Sequence, residues 1–158
     1  DKLLYSLKND VNDRRRVMSL WQDEYLDTAV LQVVSGPVNG YYRWRTECWV
    51  HQRSCDVPLG LPFNVTQYAV LLCMLAQVCG LKPGTIDWSI KDAHIYVNQI
   101  DGIKEQIERY ETKGSLPAPS SVKSGIDDFY AFDASKDIKD IRLENYEHMG
   151  KIRFPLAQ

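Results

Sequence analysis

Arg53, Ser54, Asp56 and Asn64 fall within the stretch Q-R-S-C-D-V-P-L-G-L-P-F-N at 52–64. They supply a fixed cation, a hydroxyl, a carboxylate and an amide. A guanidinium holds a phosphate through two parallel N–H bonds. An asparagine amide offers one acceptor and two donors, the set that reads the edge of a pyrimidine. Pro58, Gly60 and Pro62 turn the chain between these groups, and Gly60 lets the backbone approach a ligand closely. Further on, His94 and Tyr96 lie two apart in D-A-H-I-Y at 92–96. On extended backbone their side chains point the same way. A lone histidine is more often a satisfied polar residue of the core, so the pair weighs more than either member. Arg14, Arg15 and Arg16 form the other cationic group, and on composition alone they read as a solvated turn.

The elements that must position these residues follow from spacing. A strand is expected over 41–54, with Tyr42, Trp44 and Trp49 as bulky sheet residues. After the turn a helix is expected from 65, with Asn64 as N-cap and Gln67, three residues on, completing a capping-box pattern. Across 65–79 only Thr66, Gln67 and Gln77 are polar, which predicts a helix buried on all sides. Gly80 suits the position just past its end, and Pro83-Gly84 reads as a turn. Leu3, Leu4, Leu7 and Val11 keep helical spacing across 1–11, and a short strand is expected over 17–21. A short helix over 23–30 and a strand over 86–90 follow. The helix after Tyr96 carries Ile100, Ile103, Ile107 and Tyr110 on one face. Glu105, Glu108, Arg109 and Glu111 form a charged face that calls for no other role. Residues 112–125 read as an exposed connection, 126–133 as a turn and 137–146 as a final strand.

With 158 residues, 44% hydrophobic and 25% charged, the chain reads as one globular domain over 1–158. A net charge of −2 gives no support for general attraction to nucleic acid or membranes. The Trp and Arg interleaving at 44–49 lacks a wider basic patch, so no DNA partner is expected. Cys48, Cys55, Cys73 and Cys79 lack C-x-x-C spacing and read as buried thiols, with no metal site. No unbroken apolar run reaches about 18 residues and no secretory signal pattern opens the chain. The buried thiols suit a reducing cytosol, and a cytoplasmic location is expected. The chain opens at Asp1 without Met and directly in helical pattern, which reads as a fragment or a truncated gene product.

Taken together, Q-R-S-C-D-V at 52–57, L-G-L-P-F-N at 59–64, A-Q-V at 76–78 with G-L-K-P-G at 80–84, and D-A-H-I-Y at 92–96 resemble the thymidylate synthase family. The resemblance runs from about residue 11 to 158 and fails across 32–47. It implies an α/β (α+β) fold, a twisted mixed sheet packed on a long buried helix, forming the C-terminal portion of a larger fold. The family methylates deoxyuridine monophosphate (dUMP) to dTMP, with 5,10-methylenetetrahydrofolate as carbon donor and reductant. Carried across, Arg53 clamps the nucleotide phosphate with Ser54 assisting and Cys55 alongside. Arg14 and Arg15 look like the consecutive arginines that reach into the partner's site, which implies a homodimer. Asn64 reads the uracil edge, Gly60 lies close to the ligand, and His94 and Tyr96 hold the deoxyribose. Asp56 stands near base and folate, and Ala157 in the tail touches folate. Asp56 and Asn64 are the catalytic candidates that remain.

One departure bears on activity. Where the family has Pro-Pro-Cys, with the cysteine as nucleophile, this chain reads L-Q-V-V-S-G-P-V-N-G. The cysteine's position falls at Val33 or Val34, and valine has no nucleophilic atom. Cys48 and Cys55 are poorly placed substitutes. The aberrant 32–47 segment reads as a sequence error, a compensated frameshift or an inactivating change, and the isolated chain is expected to be inactive. The alternatives are a non-catalytic nucleotide-binding remnant or regulator and, less well supported, a pyrimidine-nucleotide hydroxymethylase. The last commonly has a carboxylate at the base-reading position, whereas Asn64 suits uracil.

Overall fold

The computed structural model describes residues 2–9, 16–18, 36–42, 45–119, 121–123, 125–132 and 142–156, with 36–42 and 121–123 described by backbone alone. The described chain groups into two compact units. One comprises Asp1–Cys55 and Gln67–Asp92, the other Asp56–Thr66 and Ala93–Gln158.

The elements run α1 (Lys2–Lys8), β1 (Val17–Met18), β2 (Gly36–Tyr42), β3 (Arg45–Asp56), α2 (Gly60–Val78), β4 (Lys82–His94), α3 (Ile100–Lys113), β5 (Ser121–Lys123) and β6 (Arg142–Glu144). Single 3-10 turns stand at Val97–Gln99 and Phe129–Ala131. The four-stranded sheet is ordered β1-β2-β3-β4. β1 pairs antiparallel with β2, and β2 with β3, where Tyr42 stands opposite Arg45. The strand expected over 41–54 is therefore two strands that double back between 42 and 45. Between β3 and β4 the contacts climb together. Gly84 lies by Thr46, Trp88 by Gln52 and Asp92 by Ser54. Those two strands are parallel and α2 is their crossover, so the sheet is mixed as expected.

β3 alternates as a strand with one covered face should. Thr46, Cys48, Val50 and Gln52 are buried, while Trp49, His51 and Arg53 are exposed. α2 lies against this sheet through Tyr68, whose ring meets Trp88 edge-on at 5.2 Å. Its buried residues are Tyr68, Leu72, Leu75, Ala76 and Val78. That is one stripe, so the expectation of burial on all sides is corrected: Val65 is 41% exposed and Gln67 lies in solvent. By length and composition α2 could cross a membrane, but its packed stripe, Tyr68 against Trp88, suits a core helix. At its C-terminus Leu81 N donates to Ala76 O (2.8 Å) and Gly80 N to Gln77 O (3.2 Å), with Gly80 at φ +66°. This is the Schellman ending expected at Gly80.

α2 starts at Gly60, not after Asn64, which corrects the N-cap assignment. Pro62 costs nothing in a first helical turn, where its missing N–H has no intrahelical partner. Pro83-Gly84 is likewise strand, not turn. Among the described strands β4 lies at the edge of the sheet, where proline is tolerated. Gly84 is required there, because a Cβ would come within 2.6 Å of the Thr46 carbonyl oxygen.

At the other end of the first unit, α1 is held by Arg16. Its Nε donates to Ser6 Oγ (2.7 Å) and its Nη2 to Ser6 O (3.1 Å), and both residues are buried. Of the three arginines, this one is structural. In the second unit α3 leaves Ile100, Ile107 and Tyr110 exposed. β5 pairs with β6, Val122 opposite Leu143, so a short strand interrupts the stretch expected to be a plain connection.

Candidate functional site

In the first unit Arg53 stands on the exposed face of β3. Ser54 Oγ donates to Asp92 Oδ2 on β4 at 3.2 Å. Between them and the core, Gln52 is 3% exposed and satisfied at both ends. Its Nε2 donates to Ser54 O, and its Oε1 accepts the Trp88 indole N–H, each at 2.9 Å. Cys55 is 3% exposed, its side chain turned to the interior, so its backbone is what it can offer a ligand.

In the second unit Asp56 is the organising residue. Its Oδ1 accepts the Leu59 N–H (3.1 Å) and its Oδ2 accepts Gln99 Nε2 (2.9 Å). The carboxylate thus closes the turn that opens α2, the task expected of Asn64, and is held at both oxygens. A Cβ on Gly60 would lie 3.8 Å from Asp56 Cβ and 3.7 Å from Asn64 Oδ1, so both side chains stand beside this glycine. Val57 N donates to His94 O at 2.9 Å. His94 and Tyr96 meet edge-on with ring centroids 5.0 Å apart, so the pair does share one side of the segment.

The same unit holds three residues whose roles were not legible. Gln99 is 1% exposed and bonds Asp56, the Tyr96 backbone and the tail at Pro155. Arg109, expected to be a solvated charge, donates from Nη1 to the carbonyls of Met149 (3.1 Å) and Gly150 (3.0 Å) and pairs with Glu105. Gly102 lies under Phe154, whose Cε1 a Cβ would approach to 2.5 Å. A glycine inside a helical pattern was the one available signal of close packing. Arg14, Arg15, Val33, Val34 and Ala157 lie outside the described residues.

All four cysteines are thiols, with no disulfide among them. Burial pushes Cys48 up to about 11, and raises Cys73 and Cys79, the last opposed by Lys8. None of these three is an activated thiolate.

A parallel strand–helix–strand crossover, with a cation and hydroxyl on one strand and a pinned carboxylate at the head of the helix, is the frame on which the matched motifs sit. Across residues 1–158 the sequence matches the family model for thymidylate synthase, and the chain belongs to the thymidylate synthase family. It is similar to thymidylate synthase from Clostridium beijerinckii, 41% identical over 166 residues, which cover 99% of this chain and 58% of that one. It is also similar to thymidylate synthase 1 of Bacillus subtilis, 37% identical, over 99% and 54% of the two chains. The solved structure of thermostable thymidylate synthase A from Bacillus subtilis superposes with a TM-score of 0.81 at 36% identity, covering 99% of this chain and 54% of that one. The chain thus spans between 54% and 58% of the length of these relatives.

Proposed function

We propose that this chain carries nucleotide- and folate-binding residues of a thymidylate synthase, and that by itself it binds dUMP without methylating it. The observation that carries the reading is the Asp56 carboxylate, fixed at both oxygens in the unit that also holds Asn64, His94 and Tyr96. In this reading Arg53 holds the phosphate with Ser54, joined by Arg14 and Arg15 from the partner subunit of a homodimer. The exposed face of β3, with Trp49, His51 and Arg53, is the surface offered to that partner. Asn64 reads the uracil edge, His94 and Tyr96 hold the deoxyribose, and Gly60 and the Cys55 backbone lie alongside. By descent the chain belongs with the proteins of dTMP biosynthesis, and it is read as one cytoplasmic domain.

Folate fits the residues present. Asp56 accepts from the Leu59 N–H and the Gln99 NH2, and a carboxylate accepts several hydrogen bonds, so Asp56 suits the N–H donors of a pterin ring. Ala157 lies in the tail segment assigned to the same ligand. When bound, 5,10-methylenetetrahydrofolate supplies the one-carbon unit and the hydride. The methyl transfer itself needs a thiolate to activate the pyrimidine, and the position for it is Val33 or Val34. Cys48, with its thiol pushed up to about 11, holds a thiolate fraction of only about one in ten thousand at pH 7. The missing nucleophile is also the one observation that favours the second reading, a nucleotide-binding remnant or regulator that never catalyses.

Isothermal titration with dUMP, beside an Arg53→Ala control, tests the binding claim. Saturable binding that is lost in the control supports it, and a folded chain that takes up no dUMP overturns it. Tritium release from labelled dUMP with folate present tests the inactivity that both readings expect. Release by a homodimer of this chain would show a working enzyme and refute the inactive assignment.

A further inference from the structure

The C-terminal segment is fastened along one row of the helix that follows Tyr96. Gln99, Gly102 and Arg109 are spaced by three and seven, the interval of one helical face. Arg109 binds the carbonyls of Met149 and Gly150, Gly102 makes room for the Phe154 ring, and Gln99 Nε2 donates to Pro155 O at 3.2 Å. That same Nε2 donates to Asp56 Oδ2 at 2.9 Å, while Gln99 Oε1 accepts the Tyr96 N–H at 3.2 Å. Only one orientation of the amide satisfies these partners. Turned over, it would set its oxygen against a carboxylate and a carbonyl, and its NH2 against an N–H. The side chain is 1% exposed, so lost bonds cannot be replaced by water.

We propose that Gln99 is a positioning residue that couples the seating of the tail at Pro155 to the orientation of the Asp56 carboxylate. The two acceptors share one planar NH2 group, whose N–H directions are rigidly related. Movement of the Pro155 carbonyl turns the amide, and the bond to Asp56 turns with it. The consequence for ligands rests on the reading of Asp56 as a folate contact: a seated tail presents the carboxylate ready to accept pterin N–H groups. The coupling between tail and carboxylate does not depend on that reading.

The test uses the full chain, the variants Gln99→Leu and Gln99→Glu, and a chain ending at Phe154. Gln99→Glu keeps the volume and the acceptor toward Tyr96 but cannot donate to Asp56 and Pro155 together, since even a protonated carboxyl carries a single O–H, so it separates the shared-donor role from packing. Trypsin cleavage after Arg153, followed by mass spectrometry, reads tail seating. The 13C resonance of the Asp56 carboxyl reads its environment. Cleavage at least tenfold faster in Gln99→Glu, with the Asp56 signal moved alike in Gln99→Glu and in the shortened chain, is the expected result. A tail as protected in Gln99→Glu as in the parent, or an Asp56 signal indifferent to removal of residues 155–158, overturns the proposal. Tetrahydrofolate titration in the presence of dUMP adds the ligand arm: tetrahydrofolate affinity falls in Gln99→Glu by a larger factor than dUMP affinity. A parent chain that binds no tetrahydrofolate, yet whose tail and carboxylate respond together, sinks the folate reading and leaves the coupling standing.

Discussion

The indole N–H of Trp88 donates to the side-chain oxygen of Gln52 across 2.9 Å, joining two parallel strands through groups 36 residues apart. Gln52 is buried, so water poorly replaces the bond when either partner is removed. Trp88→Phe and Gln52→Leu are each expected to cost about 1–3 kcal/mol, and the double variant less than their sum. Urea denaturation of the four proteins gives the coupling, expected at about 1 kcal/mol. Additive losses would mean that the bond contributes nothing.

Gly84 makes a sharper steric prediction. Its missing side chain admits the Thr46 carbonyl, the Arg45 Nε and the Glu47 Cγ, all within 2.8 Å of a Cβ position. Gly84→Ala is expected to destabilise by about 1–3 kcal/mol. Gly125, with nothing within 4 Å and no left-handed backbone, is the control, and Gly125→Ala should change thermal stability little.

Arg53 stands exposed on β3, so its attraction for a phosphate is both strong and screened. Arg53→Ala should weaken dUMP binding about 10- to 100-fold at low salt, from a charge-assisted contact of about 1.5–3 kcal/mol. Raising ionic strength should weaken the parent more than the variant. Calorimetric titration at two salt concentrations checks both statements.

Burial raises Cys48 to about 11 and, with a smaller contribution from Cys48, raises Tyr68 to about 12. Both folded values exceed the ordinary 9.0 and 10.0, so folding favours the protonated forms. The stability they contribute is fully present below pH 9 and is lost as pH rises through about 11 and 12. The urea midpoint should therefore fall from about pH 9 upward, and Cys48→Ala should flatten the first part of that fall. A midpoint equally steep without Cys48 would remove it as a cause. Thiol reagents should also label Cys48 slowly at pH 7 until the chain unfolds.

What residue order settles here is local. Alternation marks β3, a nearly unbroken apolar run marks α2, and Gly80 marks its end, because strand period, helix period and left-handed backbone are properties of a few neighbouring residues. The motifs around Arg53, Asn64 and His94 were legible for the same reason, and they carried the family. The head of α2 misled, because Asn64 and Gln67 match a capping pattern while Asp56 closes the turn from four residues before the helix. Pro83-Gly84 looked like a turn because only the packing of β4 against Thr46 explains it as strand. Arg109 reads as part of a charged face and Gln99 gives no signal, since the partners that define them lie 40 to 56 residues away. Spacing along a chain reports which side chains share a face. It does not report which distant carbonyl or carboxylate that face meets, and only tertiary packing placed Gln99 between Asp56 and the tail.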